Sequence, residues 1–288
     1  MLNFLKSLFG TKKEKLKKPH SPFYEEGAED LDVNEIFQKM RPHLESFAVE
    51  CIGIKTKEAK DLDLKASKFG GLPFFPADQP YPRDTRGEEM ILLAQLNFSE
   101  MPHLEPYPEV GLLQFFMTKQ DNDYYGINFD NQTEQGDWKV CWWENTDFEP
   151  RRNLGREYME HEEHAFPILK APLELEFIKQ ENLPFFPTLE YEKQIEPFLS
   201  GKYEWDLNEL LYKYHNPKGH RSGGFPHFTQ DDLRKYDKKY ADYKLLLQID
   251  SERKKIMWGD VGVGLFFMRD EDLIKRDFSK VMFHYDCH

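Results

Sequence analysis

Apolar residues in this chain fall into short blocks separated by polar stretches rich in glycine and proline. The runs ILLAQL (Ile91–Leu96) and KLLLQI (Lys244–Ile249) are only six residues long and apolar at most positions, the pattern of strands buried on both faces. LELEF (Leu173–Phe177) alternates instead, which predicts an edge or half-exposed strand. VECIGIK, from Val49, predicts a further extended run, and KVMFHYDCH, from Lys280, a final strand. Helical signals are fewer. Asp32 and Glu35 have capping-box spacing ahead of Ile36 and Met40. Pro42 is expected to end or restart that helix, because it lacks an amide donor and disfavours helical geometry before it; a second short helix is expected over His43–Phe47. Asp206 with Glu209 opens another helix carrying Leu207, Leu210, Leu211 and Tyr214, and RDEDLIKRD after Met268 predicts a short one.

Two of the glycine-rich stretches read alike. In GGLPFFPADQ, Gly70, Gly71, Pro73, Phe75 and Asp78 match Gly223, Gly224, Pro226, Phe228 and Asp231 of GGFPHFTQDD at a constant offset of 153 residues. The same offset places Gln95 on Gln248; after a two-residue gap GLLQFFM (Gly111–Met117) meets GVGLFFM (Gly262–Met268), and KVCWW (Lys139–Trp143) resembles KVMFH (Lys280–His284). Four matching segments in one order predict an internal duplication, and the period far exceeds the roughly 20 to 50 residues of a solenoid repeat. The expected fold is therefore α+β, mainly antiparallel β, with two similar sheet-rich units and a few short helices. The expected divisions are a lysine-rich tail (1–18), a helical lead-in (19–64), repeat 1 (65–149), a divergent connection (150–205) and repeat 2 (206–288), with both repeats in one body. Gly70, Gly71, Pro73 and their partners Gly223, Gly224, Pro226 are read as structural turns, supplying backbone angles that a Cβ would forbid.

Composition narrows the function classes. Aromatics make up 15% of the 288 residues, which suits a sheet-rich core. Three scattered cysteines, Cys51, Cys141 and Cys287, show no metal-ligand spacing and point to a reduced, cytoplasmic setting. The formal net charge of −13 argues against nucleic acid as a partner. Residues 1–18 hold six lysines against one glutamate, which leaves the remaining body at −18. That tail places Met1, Leu5, Leu8 and Phe9 at helical spacing, the pattern of a peripheral membrane contact at the inner membrane surface.

The stretches KFGGLPFFP, LLAQLNFSEMP, GLLQFFM, YYGINFD, SGGFPHFTQDD, LLLQIDS, MWGDVGVGLFF and EDLIKRDFSKVMFHYDCH lie between residues 65 and 288, in that order. In these motifs the chain resembles the YwqG-like proteins of bacteria. The resemblance implies a duplicated, sheet-dominated α+β fold, a cytoplasmic setting like that of immunity or accessory proteins near toxin genes, and no assigned catalytic residues.

Candidate chemistry is sparse. Gln95 and Gln248 sit inside apolar runs, where an unsatisfied amide costs roughly 1 to 3 kcal/mol. Either each bonds backbone in its own Gly-Gly loop, or the pair joins Trp258 and Asp260 in a ligand site between the repeats. The C-terminal HYDCH places His284, Asp286 and His288 on one face of a strand as candidate metal ligands, with His220 or His227 able to approach, while Cys287 beside histidine allows a nucleophile and base. His161 and His164 share a helical face but lack further ligands. No phosphate loop or dinucleotide fingerprint occurs. The leading expectation is a non-catalytic protein with no cofactor that binds another, basic protein through its acidic surface. The alternatives are an enzyme or small-ligand receptor with a pocket between the repeats, and a membrane-surface adaptor anchored by the tail.

Overall fold

The computed structural model describes residues 21–24, 31–59, 62–119, 124–151, 168–199 and 201–288. Its framework is one antiparallel sheet of ten strands that curls into a half-barrel. The strands are β1 (Val49–Glu58), β2 (Lys68–Phe69), β3 (Ile91–Asn97), β4 (Leu112–Met117), β5 (Trp138–Trp143), β6 (Leu173–Asn182), β7 (His220–Ser222), β8 (Lys244–Asp250), β9 (Val263–Met268) and β10 (Met282–Asp286). They lie in the order β10-β9-β8-β7-β1-β6-β2-β3-β4-β5. Outward from the central pair, β7 to β10 on one side follow the same succession as β2 to β5 on the other.

Details repeat across the two sides. A bulge falls between Leu92 and Ala94 of β3 and between Leu245 and Leu247 of β8, again 153 residues apart. Gln95 Oε1 accepts from the Phe74 amide at 2.9 Å, and Gln248 Oε1 accepts from the His227 amide at 2.8 Å. The Gln95 Nε2 group donates to the carbonyls of Leu64 and Ala66, and that of Gln248 to those of Pro217 and Gly219. Each glutamine thus ties the loop after its glycine pair to the segment before it. All four glycines have positive φ, near +70°, a region that L side chains avoid.

The outer strands read as continuous apolar runs because both faces are covered. Leu113, Phe115 and Met117 of β4 and Phe266 and Met268 of β9 enter one core with Trp138, Trp258 and Phe283. On the other face Phe116 packs with Phe75 and Tyr81, while Leu265 and Phe267 pack with Phe228 and Tyr240. The helices α1 (Val33–Glu45), α2 (Leu189–Gln194), α3 (Glu196–Leu199) and α4 (Glu204–Tyr214) form a separate apolar cluster through Met40, Leu44, Tyr191, Leu199, Leu207 and Leu211. A last short helix, α5, spans Asp270–Ile274.

Four expectations change. Of the two readings of LELEF, the half-exposed strand holds and the edge does not: it opens β6, which pairs with β1 over ten residues at the middle of the sheet and also with β2. Its alternation survives as a burial pattern, with Leu173 and Leu175 in the core and Glu174 and Glu176 outside it. Pro42 does not break its helix; it sits in the last turn of α1, which is held across it by buried Ile36, Phe37, Met40 and Leu44. The helix expected at Asp206 begins at Glu204, so both acids lie in its first turn, where the helix dipole favours them. Finally, Val140 pairs with Phe115 as Phe283 pairs with Phe266, so the last strands correspond two residues later than KVCWW on KVMFH suggests. A slip of two keeps every side chain on its face, so residue pattern alone does not expose it.

Candidate functional site

A polar cavity of about 490 Å³ opens where the ends of β1, β7 and β8 meet the loop after the second glycine pair. Antiparallel pairing sets Ile54 of β1 opposite His220 of β7, which brings Thr56 to the mouth beside Glu252. The His220 ring is fixed at both nitrogens. Nδ1 accepts from the Asp250 amide at 3.0 Å, so in neutral His220 the proton sits on Nε2, 3.5 Å from Glu252 Oε2. Hydrogen bonds from His220, then from Lys255 and Thr56, hold the Glu252 carboxyl down at about 2 against the opposing effect of burial.

The acceptors in this wall are occupied. Asp250 takes the Gly219 amide at 2.6 Å and the Ser251 amide at 2.8 Å. Glu252 takes Thr56 on one oxygen and Lys255 on the other, and Asp286 takes the Thr229 and Gln230 amides and the Thr229 hydroxyl. Ser251 Oγ donates to the Gly262 carbonyl and accepts from the Trp258 amide, so its proton is not directed at a base.

His227 differs. It is 7% exposed and lines the cavity, yet its Nδ1 is sealed from solvent with no hydrogen-bond partner. Burial lowers its pKa to about 4; Asp250 opposes the shift, while Lys218, Arg221 and His288 add to it. Behind it Arg221 is buried, donating to the carbonyls of Pro217, Lys218 and Phe225 and leaving Nε unpartnered.

The other half supplies a built-in comparison. At the same offset His220 corresponds to Ser67, His227 to Phe74, Asp250 to Asn97, Ser251 to Phe98 and Glu252 to Ser99. There Phe74 is buried, stacks on Phe148 at 4.6 Å and lies under the Lys65 ammonium. One scaffold is thus filled by aromatics on one side and opened by titratable groups on the other.

A second cavity, of about 430 Å³, lies where the Leu104–Tyr107 loop meets the second glycine pair. Its charged groups are paired: Arg234 holds Asp232 and Glu190, Lys244 holds Asp270, and Glu50 holds Lys179.

The sequence candidates are scattered over these features. Gln95 and Gln248 are fully buried with both amide ends bonded, Gln248 lying directly beneath His227. Trp258 is a core residue, 5.3 Å from Tyr125 and stacked near Tyr285. Asp260 is exposed, and its carbonyl accepts from the His288 amide. His284 is drawn away to Gln132 at 3.2 Å, its pKa lowered to about 4 by burial, whereas Asp286 braces Thr229 and Gln230. Among the described residues no three His, Cys, Asp or Glu side chains are grouped to hold a metal ion. The tail 1–18 and the His161–His164 pair lie outside the described residues. Lys55, Thr56, Lys218, Asp250 and Glu252 were not among the candidates. The offset comparison points to part of this wall, with His227 and Ser251 standing where the first half has Phe74 and Phe98, and Asp250 and Glu252 where it has Asn97 and Ser99; it gives no signal for Lys55, Thr56 or Lys218.

The family described as a domain of unknown function, DUF1963, matches residues 67–287, a span that contains the cavity apart from the β1 residues. No curated protein matches the chain. Among the described residues no helix is long and apolar enough to cross a membrane.

Proposed function

The chain belongs to the DUF1963 family, and from that premise we propose that it is a non-catalytic binding protein that holds a small polar ligand in the cavity around His227. The observation that carries this reading is the buried, partnerless His227 ring in a wall whose carboxylates are already satisfied. A buried polar group without a partner costs roughly 1 to 3 kcal/mol, and a ligand that displaces the atoms sealing Nδ1 from the cavity removes that cost. Ser251, with its proton committed to a carbonyl, speaks for binding rather than acyl transfer. Native mass spectrometry of the protein taken from its own cells tests this. The wild type is expected to carry a small-molecule adduct, and His227→Phe, which copies Phe74, to bind it at least about tenfold more weakly. An adduct retained equally by the variant, or none in either protein, defeats the reading.

Further elements belong to the same proposal. The succession of strands on either side of β1 and β6, the paired bulges and the matching glutamine bonds support an origin by duplication and a YwqG-like identity. Three free cysteines support a reducing, cytoplasmic setting. A second reading, recognition of a basic protein, is favoured by the net charge of −13 together with Phe186 and Tyr236, exposed at 69% and 72%. Such a partner is expected to associate about tenfold or more faster at low than at high salt, because exposed charges are screened beyond a Debye length. Stopped-flow association rates that ignore salt would remove this second reading.

A further inference from the structure

We infer that the ligand of the cavity is a small anion, bound through a carboxylate or phosphate group that lies between His227 and the ammonium groups of Lys55 and Lys218. The inference rests on the cavity being a binding site and adds the class of its occupant. It follows from what hydrogen-bonding capacity is left over. Each oxygen of Asp250 and Glu252 already accepts from a protein donor, Lys255 pairs with the Glu252 charge, and the Asp250 charge acts on Arg221 and His227. Lys55 and Lys218 line the same space as exposed residues, and neither ammonium has a partner among the described residues. Behind His227 lies the buried Arg221 guanidinium, whose hydrogen bonds go to carbonyls and not to a carboxylate. The Asp250 charge acts on that guanidinium and Lys255 pairs with Glu252, so Lys55 and Lys218 leave the cavity with an excess of positive charge, which a low-dielectric wall strengthens.

The two halves argue the same way. Lys65 stands where Lys218 does, yet its ammonium is spent on the Thr146 carbonyl and the Phe74 ring. Replacing that ring by imidazole at His227 leaves the lysine and a ring nitrogen without partners in the second half. A phosphate or carboxylate supplies acceptors to both.

An anion beside His227 must favour its protonated form, which gives a readout that a purely structural histidine lacks. The groups acting on the ring are Asp250, Lys218, Arg221 and His288, with His220 and Glu252 on the opposite wall. The experiment is a pH titration of the His227 ring resonances by NMR in the full chain, alone and with millimolar inorganic phosphate, succinate or neutral glycerol. Phosphate or succinate is expected to raise the His227 pKa by about one unit or more, equivalent to a tenfold preference of the anion for the charged ring. The stronger of the two identifies the ligand as a phosphate or a carboxylate. Lys218→Glu, an exposed change that leaves the fold intact, is expected to weaken that response at least about tenfold. If glycerol perturbs the cavity resonances and neither anion does, the anion inference falls while the cavity remains a binding site. If no probe moves His227, the anion inference is overturned, and the native mass measurement decides separately whether the cavity binds anything.

Discussion

On acidification from pH 6.5 to pH 4 the protein is expected to lose about 6 kcal/mol of stability through two histidines alone, at 1.36 kcal/mol per pKa unit. Burial holds both His227 and His284 near 4, against an ordinary value of 6.5. Above pH 6.5 both rings are neutral whether folded or unfolded, and they cost nothing. Between 6.5 and 4 the unfolded chain takes up protons that the fold refuses, so stability falls as pH falls. Below 4 their contribution levels off, and the depressed Glu252 carboxyl begins a further loss as pH drops from 4.5 towards 2. Urea denaturation at pH 7 and pH 4 measures the drop. His227→Phe should remove about half of it, roughly 3 kcal/mol; an identical drop in the variant would show that His227 is not held neutral.

Replacing Gln95 by leucine is expected to destabilise the fold by about 4 kcal/mol, and Gln248→Leu by about 3 kcal/mol, since each strands several buried backbone groups at roughly 1 to 3 kcal/mol apiece. Gln95 serves the Phe74 amide and two carbonyls and also accepts from Gln114 Nε2 at 2.7 Å. Gln248 has no counterpart of that last bond, because Leu265 stands where Gln114 does. The difference between the two variants therefore reports the Gln114 contact. Melting curves that match the wild type would mean the glycine-pair loops do not depend on these amides.

The fold was legible where local chemistry decides it. Gly70, Gly71, Gly223 and Gly224 marked positive-φ turns, and the buried glutamines announced that each needed backbone partners in its loop. The place of β6 was not legible, because alternation records which side chains are buried and not which strands pair on either side. Pro42 misled for a similar reason: four buried contacts made elsewhere in the fold hold the turn that local propensity opposes. The cavity was half legible. His220 and His227 were visible as histidines near the C-terminal strand, but Lys55 and Thr56 arrive from β1, some 160 residues away in sequence, through pairing that no local pattern encodes. What the sequence does hold is the contrast between Phe74 and His227, or Phe98 and Ser251, at one offset. One side of the sheet buries aromatics where the other has polar groups around a cavity.

That contrast makes the location of binding the most direct test. Backbone amide NMR of the labelled full chain, with a small-molecule extract of its own cells added, maps which residues respond. The expected changes lie at Thr56, Gly219, His220, His227 and Thr229, around the cavity where the His227 ring lacks a partner. Changes confined to Tyr107, Leu245 and Met268 at the other cavity, or no change at any cavity residue, would contradict a ligand site at His227.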